Sequence, residues 1–122
     1  MSRIHLSKAD VTDVEEHYIL DAMRSGWVAP LGPDVDAFEA EMAVRAGVSY
    51  SLALASGTAA LHLGLLGLGA GPGTAVIVPS MTFAASANPV IYTGAAPVFV
   101  DSGVDGNVDP RAAHGSHRHT AG

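Results

Sequence analysis

An α/β fold with a mostly parallel βαβαβ core is predicted by the order in which three kinds of segment follow one another. Short apolar runs at residues 50–55 (YSLALA), 75–78 (AVIV) and 97–100 (PVFV) alternate with stretches of helical character. Turn-forming clusters, Gly69-Ala70-Gly71-Pro72-Gly73 and Thr93-Gly94-Ala95-Ala96, separate them. Strands covered on both faces read as unbroken apolar runs, and a helical crossover brings each next strand in parallel with the last.

Ahead of this core the sequence predicts two helices. Thr12-Asp13-Val14-Glu15 has the spacing of a capping box, in which threonine and glutamate satisfy each other's free amides. Val14, Tyr18 and Ala22 then share a face, with Met23 beside it, and Gly26 is a stop, so the helix covers about residues 12–25. Residues 27–32 are an irregular connector. Pro33 suits the first position of a second helix, and Asp34 and Asp36 favour its positive end. Val35, Phe38 and Met42 give that helix its stripe, and Gly47 closes it. Asp34, Asp36, Glu39 and Glu41 read as a solvated face rather than an acid/base pair.

Within the core, Ser56-Gly57-Thr58 turns into a helix over residues 59–68, apolar on most sides and therefore expected to be buried. A further helix is expected over residues 82–92. From Ser102 to Gly122 the only sizeable apolar residues are Val104 and Val108, too little to bury, so disorder is expected there.

Composition excludes several function classes. Twelve acids oppose six bases, for a net charge of −6, which argues against nucleic-acid or anionic-membrane surfaces. The absence of cysteine removes disulfides, thiolate nucleophiles and cysteine-held metals. The N-terminus lacks the apolar run of a secretory signal, and the greasy stretch from Leu52 to Leu68 is broken by Ser56, Gly57, Thr58, His62, Gly64 and Gly67, so no membrane span and a cytoplasmic location are expected. His114, His117 and His119 could hold zinc or nickel loosely, but no acid lies close, and no metal site is assigned. His62 reads as a hydrogen-bonded core histidine.

Two turns carry candidate chemistry. At Ser56-Gly57-Thr58 a helix begins, and helix N-termini expose unpaired amides and a partial positive charge suited to phosphate. Gly57 lets an anion approach the backbone, and the Thr58 hydroxyl adds a donor. By itself the segment reads more readily as an ordinary strand–helix turn capped by Ser56 or Thr58, since short Gly/Ser/Thr turns are abundant. The second turn, Pro79-Ser80-Met81-Thr82-Phe83, should lie at the same carboxyl edge of the sheet, where open α/β folds bind ligands. Phe83 could stack on a flat ring or pack into the core.

Taken together, Gly26-Trp27-Val28-Ala29-Pro30-Leu31-Gly32-Pro33, Phe38-Glu39, Ala55-Ser56-Gly57-Thr58-Ala59-Ala60-Leu61-His62, Val76-Ile77-Val78-Pro79-Ser80-Met81-Thr82-Phe83 and Pro97-Val98-Phe99-Val100-Asp101 resemble the DegT/DnrJ/EryC1/StrS aminotransferase family, from about Ile4 to Pro110. The resemblance implies the N-terminal part of the large domain of fold-type-I pyridoxal-phosphate (PLP) enzymes. It further implies transfer of an amino group from an amino acid, usually glutamate, to a nucleotide-linked keto-sugar, in a homodimer. By motif, Gly57, Thr58 and Ala59 would bind the cofactor phosphate, Phe83 would lie against the pyridine ring, and Trp27 would line the approach for substrate. The family's cofactor-holding lysine lies far downstream. The one lysine here, Lys8, is in no matching motif, so no catalytic residue is assigned and the chain alone is expected to be inactive.

The expected division is residues 1–110 as a partial large domain and residues 111–122 as a disordered tail outside the family pattern, as a frameshift near Pro110 would leave. Two other readings follow from the same residues. One is a non-catalytic module that binds PLP phosphate or docks on a homologue. The other is a piece of a pyridoxamine-phosphate-dependent sugar dehydratase of the same family.

Overall fold

The computed structural model describes residues 9–111, so residues 112–122 with the tail's three histidines lie outside the described residues, as does Lys8. Six elements are present: α1 (Asp13–Ser25), α2 (Pro33–Ala46), α3 (Gly57–Gly67), β1 (Ala75–Pro79), α4 (Ala84–Thr93) and β2 (Ala96–Val100). They fall into two units, Met1–Ala53 and Leu54–Gly122.

In the first unit, both halves of the predicted capping box form. Thr12 Oγ1 accepts from the Val14 amide at 3.2 Å, and the Thr12 amide donates to Glu15 Oε2 at 2.7 Å. The Thr12 hydroxyl, and then its amide, hold the Glu15 carboxyl below its ordinary value. Gly26 ends α1 in the left-handed conformation, φ 80°. The apolar stripe of α1 exists but is uncovered, and no residue of α1 is buried. Next, Gly32 sits at φ 144° under the Trp27 ring, where an added Cβ would stand 3.3 Å from Trp27 Cβ and Cε3. A side chain at residue 32 would thus be strained by the backbone and crowded by the indole together. Pro33 then opens α2, as predicted. It closes at Gly47 with Val48 N–H bonded to Ala43 O at 3.0 Å and Gly47 N–H to Val44 O at 3.2 Å, the paired bonds of a Schellman motif.

Residues 50–55, expected as a buried strand, form none. Tyr50 and Leu52 are 90% and 61% exposed. A strand exists only through ladder bonds to a neighbour, and among the described residues no strand pairs with this segment. Its Ala53 amide bonds instead to Glu39 Oε1 at 2.7 Å. Glu39, read from the sequence as part of a solvated face, is therefore half-buried and engaged.

The second unit contains the parallel pair, in register from Ala75↔Ala96 to Pro79↔Val100, with α4 as the crossover. Two of the three predicted strands and the predicted parallel sense are thus present. The core of this unit is Val78, Val90 and Ala95, flanked by Leu65, Ala70, Val76 and Ala87. Pro89 lies inside α4, where it removes one helical donor. Thr93 is buried and satisfied: its hydroxyl donates to Val90 O at 2.7 Å and accepts from the Ala95 amide at 3.3 Å. Expected to be buried, α3 has no buried residue. Leu61, Leu63, Leu66 and Leu68 are all exposed, because a helix that is apolar all round needs cover on several sides and α4 covers one.

The expectation of disorder from Ser102 onward fails for residues 102–111. Ser102 and Val108 form an antiparallel bridge, and Gly103 N–H bonds to Asn107 O at 2.8 Å. The Asp105 carboxylate accepts from Asn107 Nδ2 at 3.0 Å and from its amide at 3.1 Å. These bonds hold the Asp105 carboxyl below its usual range, the Asn107 side chain contributing most. Polar closure, which needs no apolar burial, orders this turn. Among the described residues no helix is long and apolar enough to cross a membrane.

Candidate functional site

Position in the fold decides whether the two motif turns can share a ligand. The loop after α3 meets the end of α4. An added Cβ on Gly94 would stand 3.1 Å from Pro72 Cγ, and one on Gly71 would stand 3.8 Å from Thr93 O. His62 and Tyr92 also meet edge to face across the two packed helices, with centroids 5.7 Å apart. The two helices thus pack side by side, with the loop after α3 against the end of α4. Gly57, Thr58 and Ala59 open α3, and Phe83 stands directly ahead of α4.

At the start of α3, Ser56 is the N-cap. Its Oγ accepts from the Ala59 amide at 3.2 Å, and its carbonyl accepts from the Ala60 amide at 3.1 Å. The amides of Gly57 and Thr58 have no acceptor within the helix and point off its end. An added Cβ on Gly57 would meet nothing within 4 Å, so the approach is open. Thr58 is half-buried, and its hydroxyl has no partner among the described residues. Ala59 differs, since its amide is already engaged by Ser56.

The turn into α4 leaves β1 with one further ladder bond, Ser80 N–H to Val100 O at 2.8 Å. Phe83 is the N-cap residue of α4, supplies no side-chain cap, and is 82% exposed, so it is not part of the core of this unit. Thr82 Oγ1 and Ser86 Oγ lie 2.8 Å apart across the first turn. Neither α3 nor α4 has an acidic residue in its first turn to neutralise the partial positive charge of its end.

Trp27, expected on the substrate approach, belongs to the first unit, where it is 55% exposed and covers Gly32. Among the described residues no cluster of histidines and acids could hold a metal. Sequence reasoning missed Glu39. Its signal was the Phe38-Glu39 pair inside the motif order, which a reading of charge periodicity alone treats as surface.

Open amides, a hydroxyl without a partner among the described residues and clearance over Gly57 fit the phosphate of an organic phosphate, and the exposed Phe83 fits a flat heteroaromatic group. Such a helix start on an α/β fold is compatible with the PLP-dependent aminotransferase class. The sequence pattern of the DegT/DnrJ/EryC1/StrS aminotransferase family matches residues 9–115, and the chain belongs to that family. It is 48% identical over 111 residues to EpsN of Bacillus subtilis, described as a pyridoxal phosphate-dependent aminotransferase, covering 90% of this chain and 29% of EpsN. To the GDP-perosamine synthase of Caulobacter vibrioides it is 41% identical, covering 91% of this chain and 28% of that protein. Among solved structures, the sugar aminotransferase Spr1654 of Streptococcus pneumoniae in its PMP form superposes with a TM-score of 0.82 at 35% identity, covering 94% of this chain and 29% of that one. The chain thus spans a little under a third of the length of these relatives. The same Spr1654 protein is also solved in a PLP form, and the cofactor of intact family members is pyridoxal phosphate.

Proposed function

We propose that this chain is the phosphate-binding portion of an aminotransferase that moves an amino group from an amino acid, with glutamate as the donor, to a nucleotide-linked keto-sugar. What supports the reading is the start of α3, where the amides of Gly57 and Thr58 are open and the first turn holds no acidic residue. The relatives' names, which include a GDP-perosamine synthase, support the nucleotide-sugar acceptor.

When bound, PLP supplies an electron sink for the bonds around the amino-bearing carbon. This chain's own residues hold and orient it. The Gly57 and Thr58 amides donate to phosphate oxygens, and the Thr58 hydroxyl adds a third donor. Ala59 backs this end with an amide that Ser56 already holds. Phe83 offers a face to the heteroaromatic ring. Proton transfer at the reacting carbon needs an amine at that carbon, and the one lysine in these 122 residues is Lys8. The chain by itself therefore binds the cofactor and completes no transfer. Residues 1–110 form the large-domain portion, the working enzyme is a homodimer, and a charged, water-soluble nucleotide-linked substrate fits a cytoplasmic location.

A titration of the 122-residue chain with PLP, pyridoxal and inorganic phosphate, followed by phosphorus NMR and borohydride trapping, tests this. Saturable binding of PLP and phosphate, with pyridoxal not bound, is expected. Equal binding of pyridoxal and PLP would remove the phosphate site. A single trapped adduct together with amino transfer from glutamate would overturn the claim of incompleteness.

A further inference from the structure

We infer that Asp105–Gly106 is a covalent modification site gated by its own turn: when the turn opens, the Gly106 nitrogen closes on the Asp105 side chain, and isoaspartate is left at residue 105. In the first step the Gly106 amide nitrogen gives up its proton and bonds to Cγ of the protonated Asp105 carboxyl. The Cγ–OH bond breaks, a water leaves, and a cyclic succinimide joins side chain to backbone. Water then adds at the ring carbonyl that was the Asp105 backbone carbon, and the ring nitrogen takes up the proton. The chain now runs through Cγ, longer by a methylene, with nothing oxidised or reduced. Glycine in the following position permits the attack because no side chain stands beside its nitrogen. Asp105–Gly106 is the only Asp–Gly pair in the sequence, and there is no Asn–Gly pair.

In the closed turn both reacting groups are engaged elsewhere. Gly106 N–H bonds to Gly103 O at 3.0 Å, Gly103 N–H bonds to Asn107 O at 2.8 Å, and the Ser102–Val108 bridge closes the base. With Gly106 at φ 80°, this is the short hairpin loop that ends in a left-handed glycine. The attacking nitrogen is thus committed to Gly103 O. The carboxylate is committed to Asn107, with Oδ1 on its amide at 3.1 Å and Oδ2 on its Nδ2 at 3.0 Å. Oδ1 also lies close over Gly103, where an added Cβ would stand 3.1 Å from it. The Asn107 side chain, and then its amide, keep the Asp105 carboxyl below its usual range, with the charge of Asp109 acting the other way. An ionised carboxylate has no hydroxyl to lose, so the clamp opposes the chemistry as well as the geometry. Opening undoes only polar bonds at a tip where Val104, Asp105 and Asn107 are all exposed. Loop tips held this way open at low free energy, ahead of any global unfolding.

The test incubates the 122-residue chain in mildly acidic buffer. Isoaspartate at residue 105 is read by peptide mapping, with methylation by an isoaspartyl methyltransferase as the probe. Asn107→Ala and Asn107→Asp both remove the Nδ2 donor, and each is expected to accumulate isoaspartate on the order of fivefold faster than the parent chain. The parent chain in denaturant should be faster than either. Gly106→Ala sets a methyl beside the attacking nitrogen and should form less than the parent when both are held in denaturant, where the turn no longer matters. Amide exchange in β1 and β2 should be the same in the parent and the Asn107 variants. Equal rates in the parent, the Asn107 variants and the denatured chain would overturn the gating. Absence of isoaspartate at residue 105 even in denaturant would overturn the site. A faster reaction in the Asn107 variants that comes only with raised exchange in the strands would assign it to global unfolding and overturn the clamp.

Discussion

Replacing Gly57 by alanine should move stability and phosphate binding in opposite directions. Gly57 is the first residue of α3, its φ is not in the left-handed region, and a methyl there would touch nothing within 4 Å. With no steric cost, the change acts through the unfolded chain, where alanine has less freedom to lose. Gly→Ala at compatible positions stabilises by about 0.4–1 kcal/mol. At a helix end the lower half of that range applies, so exchange of the first-turn amides of α3 should slow by roughly twofold. Binding should change the other way. A phosphate oxygen must come within about 3 Å of the residue 57 nitrogen, and a methyl beside that path displaces it. Loss of one charge-assisted hydrogen bond is worth about 1.5–3 kcal/mol, which is on the order of tenfold or more in affinity. Phosphorus NMR titration of PLP and amide exchange without ligand, run on the same two proteins, read both quantities. PLP affinity retained in Gly57→Ala, with slower exchange in α3, would refute the placement of the phosphate at this helix end.

Phe83→Ala should leave exchange in α4 and the strands unchanged, because the ring is already exposed, while weakening PLP and sparing inorganic phosphate; a loss of structure would show that the ring is core after all. Glu39→Ala should raise amide exchange at Ala53 by on the order of tenfold, from loss of a half-buried, charge-assisted bond of 2.7 Å, and unchanged exchange there would show that Glu39 does not anchor this segment. Thr12→Ala should cost α1 about 1 kcal/mol, read as lower helicity by circular dichroism, since the N-cap is lost. Because Thr12 lowers the folded-state pKa of Glu15, the linked stability of α1 is full above the ordinary value of 4.5 and fades as pH falls through the lowered folded value. Thr12→Ala should remove that acid-side fade, and an unchanged pH profile would contradict the capping box.

Local structure was legible in the sequence wherever the cause was local. Thr12 and Glu15 announced α1, Pro33 and Gly47 bounded α2, and Ser56 capped α3, because each acts on amides or dihedrals within a few residues of itself. The parallel pair followed from apolar runs separated by a helix. Residues 50–55 were misread for a physical reason. Apolarity tells that a segment would gain from being covered, but a ladder needs a second strand, and none pairs with this segment among the described residues. The turn of residues 102–108 was misread in the opposite way. It has little apolar surface, yet the carboxylate of Asp105 and the left-handed backbone of Gly106 close it through polar bonds that hydrophobicity does not register.

The sequence by itself determined the helix ends, the parallel crossover and the residue types suited to phosphate, since spacing along one strand of polymer carries all three. Which parts of α3 and α4 meet was decided only by tertiary packing, through the contacts of Pro72 with Gly94 and of His62 with Tyr92. The bond from Ala53 to Glu39 and the approach of the Met81 methyl to Gly106 also belong to the folded chain alone. Each joins residues 14 or more positions apart, a distance at which sequence fixes what a side chain can do but not whom it meets.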